Sequence, residues 1–259
     1  MTPLLILGVG RMGGAMIEGW RRAGTFVPSE IFIRDPNPGD ADIHGMRLNP
    51  PDGELGACRT VLLAVKPQVW REAAAQVSPH LSPDAVIVSI AAGVASADIA
   101  AAFGGLRVAR VMPTTAVAIN QGTASVCAAD PQARARAHAL FDPLGRVVEI
   151  ADEDLMHAAT AVSGSGPAYL YAFTEALEAA AVAQGLGPDA AATLARSTLT
   201  GAAALMASGA TPPAELRRQV TSPGGTTQAA LEVLLGQGGL EALLDKAVAA
   251  AVARSRELG

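Results

Sequence analysis

The chain has 259 residues, of which 50% are hydrophobic, 3% aromatic and 17% charged, and its formal net charge at pH 7 is -5. This length suggests one large or two modest domains, and a core built mainly of alanine and leucine favours packed helices over a β-sandwich. The acidic balance, without a basic stripe or arm, argues against a nucleic-acid partner.

In chain order, short apolar strands alternate with helical stretches through the first half of the sequence. The first strand, 4–7, is a continuous apolar run that ends at glycines, as expected of a buried parallel strand, and a helix is predicted at 13–23. Further strands are predicted at 31–33, 61–65, 86–90, 107–111, 123–127 and 147–149. Strands separated by helices predict βαβ units, and hence an α/β domain with a doubly wound sheet over residues 1–152.

After about Asp152 the sequence becomes Ala- and Leu-rich helix, broken by glycine and proline turns. This predicts a second, all-α domain over 153–259, in which helices that are apolar on nearly all sides are buried, for instance in a subunit interface. The uncharged stretch 197–214 is long enough to suggest a membrane span. Its serines and threonines and the pair Pro212-Pro213 favour a helix packed against other helices instead.

The N-terminus and the cysteines indicate where the protein resides. Met1-Thr2-Pro3 leads straight into the first strand without the basic segment of a signal peptide. Cys58 and Cys127 lie outside any CxxC pair or metal-ligand spacing, which is typical of reduced thiols. We therefore expect a cytoplasmic protein that holds no metal and does not associate with membranes.

A glycine-rich motif, GVGRMG at 8–13, follows the first strand and opens the first helix. In such a GxGxxG turn the glycines allow a tight turn, a close approach of backbone to a pyrophosphate, and close packing of helix on strand. The N–H groups and partial positive charge at the helix start favour phosphates. Its position at the start of the βαβ series indicates a Rossmann-type dinucleotide site rather than a glycine turn without a ligand.

Two adjacent residues at the end of the second strand point to different nicotinamide cofactors. Asp35 lies about 20 residues beyond the glycine motif, the spacing at which an acidic side chain binds the ribose 2′-hydroxyl of NADH. Arg34 beside it could instead pair with the 2′-phosphate of NADPH, or face solvent. Lys66, at the end of the third strand, is either a cofactor contact or an ordinary surface lysine.

Two further glycine-rich segments precede predicted helices in the second half. The segment 162–169 (VSGSGPAY) combines serine caps with a proline at a first helical position, and a helix start explains it as well as a ligand site does. The segment 220–227 (VTSPGGTT) opens a helix predicted at 228–235 and exposes backbone N–H groups with little side-chain bulk. Such a turn forms a nest for a small carboxylate, whereas a well-capped helix would leave the paired glycines unexplained.

Together these segments resemble those of pyrroline-5-carboxylate reductases, in the same order along the chain. The resemblance rests on GxGxMG at 8–13, AVKPQ at 64–68, RVMP at 110–113, SGSGPAY at 163–169, TSPGGTT at 221–227 and the C-terminal segments 247–248 and 254–258. The glycine motif alone is unspecific, but Ser-Pro-Gly-Gly-Thr-Thr in this position is highly specific. The resemblance covers essentially the whole chain.

The resemblance implies a Rossmann domain that binds NADPH or NADH, and a helical domain that forms an interlocked homodimer, with further assembly of dimers and an active site between the domains. The reaction it implies is reduction of the C=N bond of 1-pyrroline-5-carboxylate to L-proline, the last step of proline biosynthesis. A protonated imine is already electrophilic, so no strong acid is required. We accordingly interpret the histidines as structural; they are His44, His80, His138 and His157.

The resemblance also assigns site residues by motif position. Substrate contacts are expected from Ser222, Gly224, Gly225, Thr226 and Thr227, with Ser222 and the backbone of Gly225 and Thr226 holding the substrate carboxylate. Thr227 is expected to hydrogen-bond the ring nitrogen and to be the catalytic residue. Cofactor contacts are expected from Leu7, Gly8, Gly10, Arg11, Met12, Gly13, Arg34, Asp35, Asn49, Ala64, Val65, Lys66, Pro67, Met112 and Pro113.

The sequence departs from the family pattern in two places. The segment 112–116 (MPTTA) stands where the family has Met-Pro-Asn-Thr-Pro, so Thr114 replaces an asparagine and Ala116 replaces a proline. The resemblance puts this loop near the nicotinamide end of the site, so the positioning of the nicotinamide or the reaction rate could differ. Asp35 stands where many relatives carry arginine. A carboxylate there would repel a 2′-phosphate, so NADH is expected to be used comparatively well, although both cofactors remain open.

Other functions compete with this interpretation. A β-hydroxyacid dehydrogenase pairs a similar glycine motif with a helical domain but needs a lysine there, and the second half has only Lys246, near the C-terminus. A dimeric reductase of another cyclic imine, or a non-catalytic regulatory relative, is consistent with the altered loop at Thr114 and Ala116. A membrane-interacting protein would need a basic amphipathic helix, which the sequence lacks.

Overall fold

The computed structural model describes residues 2–257 and divides into two compact units. The first is formed by Met1–Gly164 together with Ala251–Gly259, and the second by Ser165–Ala250. Met1 of the N-terminal segment and Leu258 of the C-terminal motif lie outside the described residues. The predicted domain division after Asp152 stays a prediction.

The first unit is built on one sheet. Its strands are β1 (Leu4–Leu7), β2 (Ile31–Arg34), β3 (Arg47–Leu48), β4 (Thr60–Leu63), β5 (Val86–Ser89), β6 (Arg107–Pro113), β7 (Gly122–Cys127) and β8 (Gly145–Glu149). They form an eight-stranded sheet in the order β3-β2-β1-β4-β5-β6-β7-β8. Neighbouring strands are parallel except β6 and β7, which are antiparallel. Because the chain winds outward from β1 in both directions, the predicted Rossmann-type doubly wound sheet is confirmed.

Helices connect the strands and make up the second unit. They are α1 (Arg11–Ala23), α2 (Trp70–Val77), α3 (Ser96–Ala102), α4 (Pro131–Phe141), α5 (Met156–Ala159), α6 (Gly166–Ala183), α7 (Pro188–Ala207), α8 (Pro213–Gln219), α9 (Thr226–Leu234) and α10 (Leu240–Glu257). Both α1 and α9 begin two residues earlier than predicted, because a glycine is the N-cap and the helix starts directly after it. Within residues 2–257, none of these helices is long and apolar enough to cross a membrane.

Helices cover both faces of the sheet. Side chains of β1 alternate, so that Leu4 and Ile6 lie in one core cluster with α1 and α4, while Leu5 and Leu7 lie in the other with α2 and α3. On the first face the Trp20 indole also donates a hydrogen bond of 2.7 Å to the Leu140 carbonyl. Burial on both faces is what a continuous apolar strand requires, and it holds the carboxyl ends of the parallel strands in fixed positions.

The second unit leaves an apolar surface uncovered in the isolated chain. Only small residues such as Ala191 and Ala195 are buried there. The exposed large apolar side chains of this unit include Leu170, Tyr171, Phe173, Leu177, Val182, Leu194, Leu205, Met206, Val220, Val233, Leu234, Leu240 and Leu243. Apolar exposure spread over several helices is typical of an interaction surface.

Candidate functional site

The turn between β1 and α1 gives each glycine of the motif a distinct environment. Gly8 adopts φ +90°, and a Cβ at Gly13 would lie 2.5 Å from the Gly8 carbonyl oxygen, so neither position tolerates a side chain. A Cβ at Gly10, the N-cap of α1, would meet no atom within 4 Å. The first and third glycines therefore make the turn and its packing, while the second leaves open space at the helix start. This arrangement fits the pyrophosphate of a dinucleotide.

Parallel pairing brings the next predicted cofactor residues together at the carboxyl edge of the sheet. Leu7 at the end of β1 is in register with Arg34 on β2 and with Leu63 on β4. Beyond these strand ends lies a cavity of about 500 Å³. Its lining includes five predicted cofactor residues, namely Leu7, Arg34, Asp35, Asn49 and Val65. Its size and its place beside the glycine turn fit the adenosine part of a dinucleotide.

The Asp35 carboxylate is tied to the glycine turn. Its Oδ2 accepts the Val9 N–H at 2.7 Å, and its Oδ1 accepts the Asn37 N–H at 2.8 Å. Asn49, with φ +47°, pairs with the main chain of Asp35 through its amide, accepting the Asp35 N–H at 3.1 Å and donating to the Asp35 carbonyl at 3.0 Å. The two predicted cofactor residues Asp35 and Asn49 are thus hydrogen-bonded to each other at the cavity wall.

The two predicted cations lie in different situations. The Arg34 guanidinium forms an ion pair with the Asp52 carboxylate, a partner that was not predicted from the sequence. Lys66 is exposed and does not line the cavity that Leu7 and Asp35 line. The loop that carries Lys66 begins at Ala64, whose N–H donates to the Leu7 carbonyl at 2.8 Å. Contacts of Ala64, Lys66 and Pro67 with a cofactor stay predictions.

Met112 and Pro113 end β6 at the same edge of the sheet. Directly after them, the Thr114 hydroxyl accepts the Thr123 N–H at 3.0 Å, and the Thr114 N–H donates to the Thr123 carbonyl at 2.9 Å. A Cβ at Gly164 would lie 3.6 Å from Met112 Cγ, so the π-helical turn Thr160–Gly164 packs on Met112. Thr114, which replaces the asparagine of the family pattern, therefore hydrogen-bonds the backbone of β7 and links it to the end of β6.

The serine caps expected in the segment 162–169 are not formed. The Ser163 hydroxyl donates instead to the Ala159 carbonyl at 2.8 Å, and Ser165, the N-cap of α6, accepts no N–H with its side chain. The expectation of serine caps was wrong because the chain enters α6 from a π-helical turn, so Ser165 has a helical backbone conformation. A residue that caps a helix usually has an extended conformation, which directs its side chain at the N–H groups of the first turn. Pro167 does lie in the first turn of α6, as predicted.

The turn that opens α9, in the second unit, lacks a side-chain cap. Gly225 is the N-cap, and its N–H donates to the Ser222 carbonyl at 3.1 Å. Gly224 adopts φ +70°, and its N–H donates to Gln228 Oε1 at 2.7 Å. The Gly224 and Gly225 N–H groups thus shape the turn, and the N–H groups of the first turn of α9, including those of Thr226 and Thr227, have no intrahelical acceptor. The absence of a side-chain cap favours the carboxylate nest over a well-capped helix.

Several residues at these sites were not identified from the sequence. The opposite wall of the cavity is one face of α2 and the residue before it, namely Val69, Glu72, Ala73, Gln76 and Val77. These residues directly follow the AVKPQ segment, and this position in the sequence could have identified them as candidate cofactor contacts. Gln228 likewise follows TSPGGTT directly.

The cysteines and His157 lie outside the candidate site. The thiols Cys58 and Cys127 are free, and burial raises the pKa of Cys58 to about 11. His157 contacts the buried Ser255 hydroxyl at 2.9 Å. In the part of the chain that the structure describes, no three His, Cys, Asp or Glu side chains are grouped as a metal would require.

Comparison with known proteins decides the family. The model for pyrroline-5-carboxylate reductase dimerisation matches residues 153–258, and the model for NADP oxidoreductase coenzyme F420-dependent matches residues 3–93. A pyrroline-5-carboxylate reductase of Pisum sativum is 36% identical over 259 residues, which cover 97% of this chain and 94% of the relative. The chain belongs to the pyrroline-5-carboxylate reductase family.

Solved structures extend the comparison to the fold. A pyrroline-5-carboxylate reductase from Coxiella burnetii is 30% identical with a TM-score of 0.90, and the match covers 100% of this chain and 98% of that one. The pyrroline carboxylate reductase of Plasmodium falciparum, solved with NADP bound, is 26% identical with a TM-score of 0.85, over 99% and 97% of the two chains. The predicted family and the combination of a Rossmann-type sheet with a helical dimerisation domain are confirmed.

Proposed function

We propose that this protein is an NAD(P)H-dependent pyrroline-5-carboxylate reductase, which reduces 1-pyrroline-5-carboxylate to L-proline in the last step of proline biosynthesis. The observation that carries the proposal is family membership along nearly the whole chain. It is supported by a glycine turn and an adjoining cavity that fit a dinucleotide, the ligand type found in the Plasmodium falciparum relative.

The chain contributes mainly binding and orientation to this reaction. Reduced nicotinamide, when bound, supplies the hydride for the imine carbon. The N–H groups of Thr226 and Thr227 at the start of α9, with the hydroxyl of Ser222, hold the substrate carboxylate, which the positive end of the helix favours. The Thr227 hydroxyl hydrogen-bonds the ring nitrogen and so orients the imine. Because a protonated imine is electrophilic, orientation replaces a strong acid.

The cofactor is held by the residues at the carboxyl edge of the sheet. The backbone of the glycine turn and the start of α1 would hold the pyrophosphate, since a Cβ at Gly10 would meet no atom within 4 Å. Asp35 and Asn49, which line the cavity, would hold the ribose, and Leu7 and Val65 would contact the adenosine. Met112 and Pro113, at the end of β6, would contact the nicotinamide.

We also propose that the working form is a homodimer located in the cytoplasm, with further assembly of dimers as the alternative. The exposed apolar side chains of α6, α7, α9 and α10 support self-association, as does the match of residues 153–258 to a dimerisation family. Free cysteines, one of them fully buried, support a reducing compartment.

Loss of reduced-cofactor absorbance with 1-pyrroline-5-carboxylate, with amino-acid analysis of the product, tests the reaction. NADPH and NADH are compared in parallel, and a six-membered cyclic imine carboxylate serves as the alternative substrate. One proline formed per cofactor consumed is the expected result. Consumption with the six-membered imine alone would mean another imine reductase. A protein that binds cofactor but consumes none with either imine would be a regulatory relative, and in both cases the proposed reaction would be wrong.

A further inference from the structure

We propose that the cofactor cavity selects NADH over NADPH, and that Asp35 and Asp52 together determine this choice. The inference rests on the proposed function, because it concerns the 2′ position of the adenosine ribose of the same cofactor. Asp35 acts directly on that position, and Asp52 acts by engaging Arg34.

Asp35 cannot turn away from a ligand in the cavity. Its two carboxylate oxygens accept the N–H groups of Val9 at 2.7 Å and Asn37 at 2.8 Å, and its main chain is held on both sides by the Asn49 amide. A carboxylate has about four acceptor sites, so acceptor capacity remains for a ribose hydroxyl. The fixed group is therefore an acceptor for the 2′-hydroxyl of NADH.

The same fixed carboxylate opposes the 2′-phosphate of NADPH. That phosphate carries about two negative charges at neutral pH, and two anions in contact repel each other strongly in a partly buried site. Glu72 adds a second carboxylate to the lining. Among the described residues that line this cavity, Arg34 is the one cationic side chain, and Lys66 lies outside the lining.

Asp52 is the partner of the Arg34 guanidinium. Its carboxylate forms an ion pair with the Arg34 guanidinium, which would otherwise be the natural partner of a 2′-phosphate. Arg11 lies at a different hollow, between the glycine turn and the loop with Asp40 and Asp42. The charged groups of the cavity lining are thus the fixed Asp35 carboxylate, the Glu72 carboxylate and an Arg34 guanidinium already paired with Asp52, which suits a hydroxyl and not a phosphate.

Direct binding measurements on the full chain test this selection. Fluorescence titration gives dissociation constants for NADH and NADPH, and competition with ADP and 2′,5′-ADP isolates the 2′ group. Wild type is expected to bind NADH at least about tenfold more tightly than NADPH, and higher ionic strength should reduce this ratio because charge causes it. Equal binding, or tighter binding of NADPH, would overturn the proposal.

Variants separate the two carboxylates. Asp35→Asn should strengthen NADPH binding and weaken NADH binding, whereas Asp52→Asn should strengthen NADPH binding alone. Adding Arg34→Ala to Asp52→Asn should abolish that gain, and the exposed Asp84→Asn is the matched control that should change neither constant. An Asp52→Asn variant indistinguishable from this control would refute the part assigned to Asp52. Failure of the wild type to bind either cofactor would instead refute the proposed function.

Discussion

Arg110 on β6 donates from Nη1 to Oε1 of Glu153 at 2.7 Å, in the turn that precedes α5. The same carboxylate accepts the Ser96 N–H at 2.7 Å and the Ser96 hydroxyl at 2.5 Å, at the start of α3. The Arg110 side chain is 7% exposed and that of Glu153 is 34% exposed. One carboxylate thus joins three elements of the first unit, including the strand that ends at Met112 and Pro113.

Glu153→Gln should destabilise the protein, because it leaves the buried Arg110 guanidinium without a counter-charge. The amide keeps the shape and one acceptor, so we expect the free energy of unfolding to fall by about 2 kcal/mol. Urea unfolding at a fixed protomer concentration measures the change. Glu18→Gln is the matched control, since its partner Arg22 is exposed, and it should cost at most about 0.5 kcal/mol. Equal effects of the two variants would contradict the assigned importance of the buried pair.

The contribution of Glu153 should depend on pH. Partial burial by itself raises the pKa of its carboxyl, but hydrogen bonds from Ser96 and Arg110 outweigh burial and lower the pKa below its ordinary value of 4.5. Stability from a group with a lowered pKa is complete above that ordinary value and is lost as the pH falls through the lowered one. The stability difference between wild type and Glu153→Gln should therefore be constant from pH 7 to about pH 5.5 and shrink in more acidic solution. A difference that grows toward acid would contradict this assignment.

Much of the sheet could be predicted from the sequence because the central parallel strands β1, β4 and β5 are almost continuous apolar runs. The exception is β3, Arg47–Leu48, whose two residues are exposed and show no such pattern. The antiparallel direction of β7 was not predicted either. Strand direction is set by how the connections cross the sheet, and no local periodicity encodes it.

At the candidate site, the glycine turns and Asp35 could be predicted, whereas Asp52 as the partner of Arg34 and Gln228 as the partner of Gly224 could not. The motifs identify Gly8 and Gly224, where a positive φ makes glycine the residue that the turn requires. Asp52 meets Arg34 across 18 residues, and elsewhere in the first unit the Glu153 carboxylate meets Arg110 across 43. Such contacts depend on the packed positions of separate elements, which the spacing of residues along the chain does not give.

Gly10→Ala should lower the affinity for the cofactor, whereas Gly13→Ala should lower the stability of the fold. A Cβ at Gly10 enters open space, so the fold should keep its stability to within about 1 kcal/mol, while cofactor affinity falls because the methyl group occupies the approach of the pyrophosphate. A Cβ at Gly13 meets the Gly8 carbonyl oxygen at 2.5 Å, so stability itself should fall by about 1–3 kcal/mol. Thermal unfolding and cofactor titration distinguish the two. Normal cofactor binding by Gly10→Ala would mean that the pyrophosphate does not lie there.

Thr227→Val should lower kcat/KM for the imine while leaving the dissociation constant of the cofactor unchanged. The substitution keeps the shape and the N–H but removes the hydroxyl assigned to the ring nitrogen, and loss of one such hydrogen bond predicts a decrease of roughly tenfold or more. Thr226→Val is the matched control, because its assigned contact is the backbone N–H, which valine retains. Equal kinetics for the two variants would show that the Thr227 hydroxyl has no special part.

Val233→Glu on α9 and Leu205→Glu on α7 should weaken self-association. In the isolated chain these side chains are 79% and 59% exposed, and a charge buried without a partner in an apolar interface is strongly unfavourable. Sedimentation over a dilution series should show a dimer dissociation constant raised by at least about tenfold. Val27→Glu is the control, since Val27 is 58% exposed but belongs to the first unit, where a charge should leave the dimer intact. If all three variants dissociate like wild type, the apolar helices of the second unit do not form the dimer interface.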